Sequence, residues 1–82
     1  MIDQRTLQLI QKMIQKPLME QEEIMRFFSL SKNQLDYAIR KINELLKANK
    51  QPLIRSDPYF IQLAPKAKAF FLNDFLNGAV YT

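Results

Sequence analysis

Ser31 and Gln34 stand three residues apart, directly ahead of the apolar series Leu35, Ala38, Ile39, Ile42, Leu45 and Leu46. A serine in this place can accept from the backbone N–H three residues on, while the glutamine side chain reaches back to the serine N–H. The apolar series recurs at helical spacing and forms one continuous stripe. The pattern therefore predicts a helix that opens at Ser31 and fades through Lys47-Ala48-Asn49-Lys50 before Pro52. A helix this long and this one-sided needs a body beneath its stripe, and the rest of the chain supplies the parts. Asp3 is the N-cap of a first helix to about Lys16, with Leu7, Leu9, Ile10, Met13 and Ile14 as its apolar side. Pro17 ends that helix, and Lys16–Met19 reads as a short extended piece. A second helix starts near Met19 or Glu20 and ends at Ser29. Glu20, Glu22 and Glu23 favour its dipole, and Ile24, Phe27 and Phe28 form its apolar side. Pro52–Arg55 and Tyr59–Leu63 are aromatic and β-branched, with the turn signal Ser56-Asp57-Pro58 between them, which predicts a hairpin. Pro65 opens a last, very apolar helix carrying Phe70, Phe71, Leu72, Phe75 and Leu76, with Gly78 as its stop.

What the chain lacks narrows its chemistry. Among its 82 residues there is no histidine and no cysteine, so a Ser-His triad, a His general base, a thiol nucleophile and His- or Cys-ligated metal are all excluded. With a single glycine it has no phosphate-cradling loop, and Glu20, Glu22 and Glu23 are spaced for a solvated first turn rather than a metal cage. No enzyme activity, cofactor or metal is expected. No apolar run approaches the roughly 18 residues of a membrane span, and Met1–Arg5 lacks a signal-peptide pattern, so the expectation is a cytoplasmic protein without a membrane partner.

The formal charge of +4 is unevenly placed. Acidic and basic residues balance over 1–31 and again over 57–82. The whole excess falls in 32–56, where Lys32, Arg40, Lys41, Lys47, Lys50 and Arg55 face only Asp36 and Glu44. A local basic patch is the footprint of a surface that meets phosphates.

The order is helix, short extended piece, helix, tight turn, helix, hairpin, helix. Only Ser29-Leu30-Ser31 separates the second helix from the third, and the third is the long, capped, basic one. That is the helix-turn-helix arrangement, whose second member lies in the DNA major groove. At about 100° per residue, Asn33, Tyr37, Arg40 and Glu44 fall opposite the apolar stripe, with Lys41 and Lys47 on the edges. Arginine can read guanine and asparagine adenine, while Tyr37 can touch a phosphate or a thymine methyl. Ser31, Lys32, Asn33, Gln34, Tyr37, Arg40, Lys41 and, on the hairpin, Arg55 are the candidate DNA contacts. Several have a plainer alternative. Tyr37 can fold over a neighbour, Arg40 and Lys41 can be solvated or pair with Glu44, and Arg55 can guard a strand edge against aggregation.

Leu30-Ser31-Lys32-Asn33-Gln34-Leu35 followed by Ile39-Arg40-Lys41-Ile42-Asn43-Glu44-Leu45-Leu46 resembles the recognition helix of the deoxyribose-operon-repressor type. It is most similar to the N-terminal domains of phosphotransferase-system-regulated activators of sugar operons, such as the mannitol and β-glucoside regulators. The resemblance spans about residues 5–63. Ser31 matches the family serine, Lys32 and Asn33 stand where two arginines are usual, Gln34 replaces threonine, and Asp36-Tyr37-Ala38 replaces the usual x-Arg-Asp. Ser29 replaces the usual turn glycine, at a cost on the order of 1 kcal/mol if its φ is positive. The resemblance implies a winged helix fold, operator binding, and a dimer of a longer chain whose regulatory domains lie downstream.

The expected architecture is thus α+β and mostly helical: a winged helix-turn-helix with a three-helix core, a two-stranded hairpin wing and an extra C-terminal helix. Residues 1–63 form the DNA-binding domain and 64–82 a linker or dimerisation helix. Phe70, Phe71, Phe75 and Leu76 are its expected homodimer interface, which would present two third helices to half-sites about one DNA turn apart; an intramolecular lid is the alternative. Two other functions compete with duplex binding. One is a winged helix that contacts protein, and the other is single-strand or RNA binding on Tyr59 and Phe60 as stacking platforms.

Overall fold

The computed structural model describes residues 3–76, and their side chains as far as Asn73. Helix α1 spans Gln4–Gln15, strand β1 Leu18–Glu20, α2 Gln21–Phe28 and α3 Lys32–Ala48. Strands β2 and β3 are Arg55–Ser56 and Phe60–Gln62, and α4 is Pro65–Phe70, continued by a π-helical turn over Phe71–Leu76. The result is a small, mostly helical α+β arrangement with a three-stranded antiparallel sheet in the order β1-β3-β2.

Helices α1 and α3 begin where their caps put them. The Thr6 N–H donates to Asp3 Oδ1 at 2.7 Å to start α1. In α3 the reciprocal pair is complete: the Gln34 N–H donates to Ser31 Oγ at 3.1 Å, and the Ser31 N–H donates to Gln34 Oε1 at 2.8 Å. These bonds satisfy backbone donors that the start of a helix leaves unpaired. Pro65 sits in the first turn of α4, where its missing N–H costs nothing.

The sheet corrects the two-stranded expectation. The short piece after Pro17 is a full member, with Leu18 opposite Gln62, Met19 opposite Ile61 and Glu20 opposite Phe60. Met19 and Ile61 face inward as a cross-strand pair, and both are almost wholly buried. Met19 therefore belongs to β1, and α2 starts at Gln21. The hairpin strands are also shorter than expected. Pro52 has no N–H, and the Ile54 N–H is taken by Asn43 Oδ1 of α3 at 2.8 Å, so pairing with β3 begins only at Arg55.

One core holds all of this together. Leu9, Ile10 and Met13 of α1, Ile24 of α2, and Leu35, Ile39, Ile42 and Leu46 of α3 pack with Met19 and Ile61 of the sheet, and with Leu63, Ala67 and Phe71. Phe71 is 0% exposed. Its expected place in a dimer interface is thereby corrected, because the ring is buried within its own chain. Phe70 is half-buried beside Phe71, with ring centroids 5.4 Å apart, and Leu72 is exposed. The side chains of Phe75 and Leu76, and Gly78 as a whole, lie outside the described residues. No helix among the described residues is long and apolar enough to cross a membrane.

Candidate nucleic-acid interface

The basic segment lies largely on α3, and the position of α3 is set by the turn before it. Ser29 has φ 55° and ψ 48°, in the left-handed region. The turn closes as the Ser29 N–H donates to the Arg26 carbonyl at 3.4 Å and the Leu30 N–H to the Met25 carbonyl at 2.8 Å. This is the double hydrogen bond that ends helices with a left-handed residue. Leu30 drops into the core, and Ser31 then caps α3. The far end of α3 closes the same way. Lys50 has φ 57°, and the Gln51 N–H donates to the Leu46 carbonyl at 2.8 Å.

With the stripe of α3 committed to the core, its other side is open. Asn33, Asp36, Tyr37, Arg40, Lys41, Glu44 and Lys47 are all exposed. The candidate contacts on and before α3 divide into two groups. Ser31, Lys32 and Gln34 are already engaged. Ser31 and Gln34 hold each other in the cap, while Lys32 Nζ donates to Asp36 Oδ1 and to Gln21 Oε1, each at 2.8 Å. The Lys32–Asp36 pair is half-exposed, so its worth in stability is small. Its effect on the surface is larger, since it neutralises the first cation of the helix. Asn33, Tyr37, Arg40 and Lys41 form the second group, which shares the open side. Lys41 Nζ lies over the Tyr37 ring, 5.4 Å from its centroid. Arg40 has no ion-pair or hydrogen-bond partner among the described residues, and Glu44 pairs with neither Arg40 nor Lys41 there.

The N-terminus of α1 borders this face. A concavity of about 250 Å³ is lined by Asp3, Arg5 and Thr6 on one side and by Asn33, Gln34 and Tyr37 on the other. The Asp3 carboxyl is held below its ordinary pKa, first by the Thr6 hydrogen bonds and further by the charges of Arg5 and Lys41. Asp3 therefore puts a negative charge at the rim, and Arg5 a positive one.

Arg55 stands on β2 opposite Gln62. It is exposed and unpaired among the described residues. The turn beyond it is built by Asp57, whose Oδ1 accepts from the N–H groups of Tyr59 and Phe60 at 2.8 and 2.7 Å. Those bonds, Phe60 first, hold the Asp57 carboxyl below its ordinary pKa. Tyr59 beside it is largely exposed.

Gln21 is the site residue that sequence reasoning missed. It is buried at the start of α2. Its Oε1 accepts from Lys32, its Nε2 donates to the Asp57 carbonyl, and its own N–H donates to the Tyr59 carbonyl at 2.8 Å. It thus joins the first turn of α3 to the hairpin turn. A signal for it existed: Gln21, Ile24 and Phe28 fall at helical spacing, so a polar side chain occupies a core-facing position and must find partners there.

Comparison with protein-family models, with curated proteins and with solved structures finds no match to this chain.

Proposed function

We propose that the chain binds double-stranded DNA as the reading domain of a transcription regulator, with α3 as the recognition helix of a winged helix-turn-helix. The observation that carries this reading is the side of α3 left open to water. Asn33, Tyr37, Arg40 and Lys41 are exposed on a helix whose opposite stripe is committed to the core. The short turn from Ser29 to Ser31 supports it, because it holds α3 at a fixed angle to α2 as groove entry requires. The strand order supports it too: β3 lies between β1 and β2 and ties the hairpin to the helical body. On this reading Arg40 and Lys41 meet phosphates or guanine edges, and Asn33 near the helix start reads a base. Regulatory input comes from outside the described residues. A second copy serves the other half-site, with Phe70 and Leu72 as the described apolar side chains of the C-terminal helix left for pairing.

The test is a salt titration of binding to a mixed-sequence duplex, followed by fluorescence anisotropy. Log affinity should fall against log salt with a slope of about −3 to −5 per protomer. Arg40→Glu with Lys41→Glu should abolish binding while the thermal transition is kept. If the double reversal leaves affinity unchanged, α3 is not the DNA surface. If no duplex binds even at low salt, the DNA reading fails.

A further inference from the structure

The hairpin side of the molecule has the opposite character to α3. Tyr59 is 75%, Leu18 54% and Phe60 41% exposed. Register places Glu20 directly opposite Phe60, with Leu18 two residues along on the same outer sheet face. Glu20, Glu22, Pro58, Tyr59 and Phe60 line one concavity of about 450 Å³. Neither glutamate has a partner among the described residues, and Glu20 makes no side-chain cap bond to α2 although it occupies the cap position. The dipole of α2 accounts for negative charge at this end. It does not account for a tyrosine, a phenylalanine and a leucine left in water beside it, and grouped apolar exposure marks contact surfaces.

The charge decides which contact. Over β1, the start of α2 and the hairpin, Arg55 stands alone against Glu20, Glu22 and Asp57. Three carboxylates against one guanidinium favour a cationic partner over an anionic one. We propose that this surface docks an arginine-bearing segment of a protein partner, with a guanidinium lying on the Tyr59 ring and its N–H groups shared between the Glu20 and Glu22 carboxylates. Arginine is favoured over lysine because its planar group stacks on an aromatic face while its edge donates to carboxylates. The surface is separate from the open side of α3, so it stands whether or not the chain binds DNA.

The probe is the blocked peptide Gly-Arg-Gly-Arg-Gly, titrated into the full 82-residue chain labelled with nitrogen-15. The amide signals of Glu20, Glu22, Tyr59 and Phe60 should move and saturate. Replacing arginine by citrulline, which keeps the shape and removes the charge, should weaken binding roughly tenfold or more. Tyr59→Ala should weaken it several-fold with the thermal transition unchanged, and separately Glu20→Gln with Glu22→Gln should weaken it several-fold while lowering the transition by only several degrees, as loss of charge at the start of α2 requires. Any of five results would overturn the proposal: no shifts at these residues, equal affinity for the citrulline peptide, shifts centred on Asp36 and Glu44 of α3, movement of the Tyr59 and Phe60 signals by duplex DNA, or their movement with protein concentration alone, which would make a second copy the occupant.

Discussion

Ser29 and Lys50 both occupy the left-handed region, at φ 55° and 57°, and neither is glycine. A residue with a Cβ is disfavoured there, by about 1 kcal/mol. Each is held in place by the helix-ending hydrogen bonds around it. Ser29→Gly should therefore raise stability by about 0.5–1 kcal/mol, read as a higher urea midpoint at unchanged slope. Lys50→Gly should do the same. The added glycine also gains freedom in the unfolded chain, which trims the benefit, so a fall in both midpoints would show that unfolded-state entropy outweighs the strain. Asp57 gives a pH prediction. Its folded pKa is depressed because Phe60 and Tyr59 donate to the charged form. Its stabilising contribution is then full above the unfolded value, near 3.9, and is lost as pH falls through the lower folded value. Unfolding midpoints measured from pH 6 downward should decline below about pH 4.5, and Asp57→Asn should flatten part of that decline. A profile that the substitution leaves unchanged would mean the turn does not depend on the charge.

Helices are legible in this chain because their signals are local. The Ser31–Gln34 cap, the apolar stripe behind it and the Asp3 cap all act within a few residues, and each element begins where that chemistry puts it. Ser31→Ala should cost about 1 kcal/mol in a urea titration, and Gln34→Ala less. If Ser31→Ala is silent, packing alone fixes the start of the helix. The strands are legible only as a hairpin and a short extended piece after Pro17, without the pairing that joins them. Leu18–Glu20 becomes a strand through Phe60–Gln62, far along the chain, and no local pattern in so short a piece carries that information. Arg55 is the first paired residue of β2 because Asn43, on another element, takes the Ile54 donor. The candidate site shows the same division. That Asn33, Tyr37 and Arg40 lie opposite the stripe follows from helical geometry. That Lys32 is engaged by Gln21 and Asp36 does not, because Gln21 acquires its role from the hairpin turn it reaches.

At the scale of the whole molecule, the C-terminal helix is what pattern reading places least well. Its phenylalanines look too many for a core built by residues 1–63, which points to an appendage. The structure instead sends Ala67 and Phe71 into the same buried cluster as Leu9 and Leu46, with Phe70 partly covered and Leu72 outside. Periodicity alone could not sort these rings, because on a helix apolar on every side the covered ones are chosen by the shape of the body beneath. The energetic consequence is large for a chain this size. A domain of 82 residues has a total stability of about 4–12 kcal/mol, and removing a buried phenylalanine side chain costs about 3–5 kcal/mol. Phe71→Ala should therefore lower the thermal midpoint by well over ten degrees or leave the chain unfolded at room temperature, whereas Leu72→Ala, at an exposed position, should change little. A chain cut after Leu63 loses Ala67 and Phe71 together and uncovers the side chains they pack against. It should lose the dispersed methyl resonances of a packed core. If residues 1–63 alone give a cooperative thermal transition close to that of the full chain, then α4 is an accessory after all, and the single-core account of this fold fails.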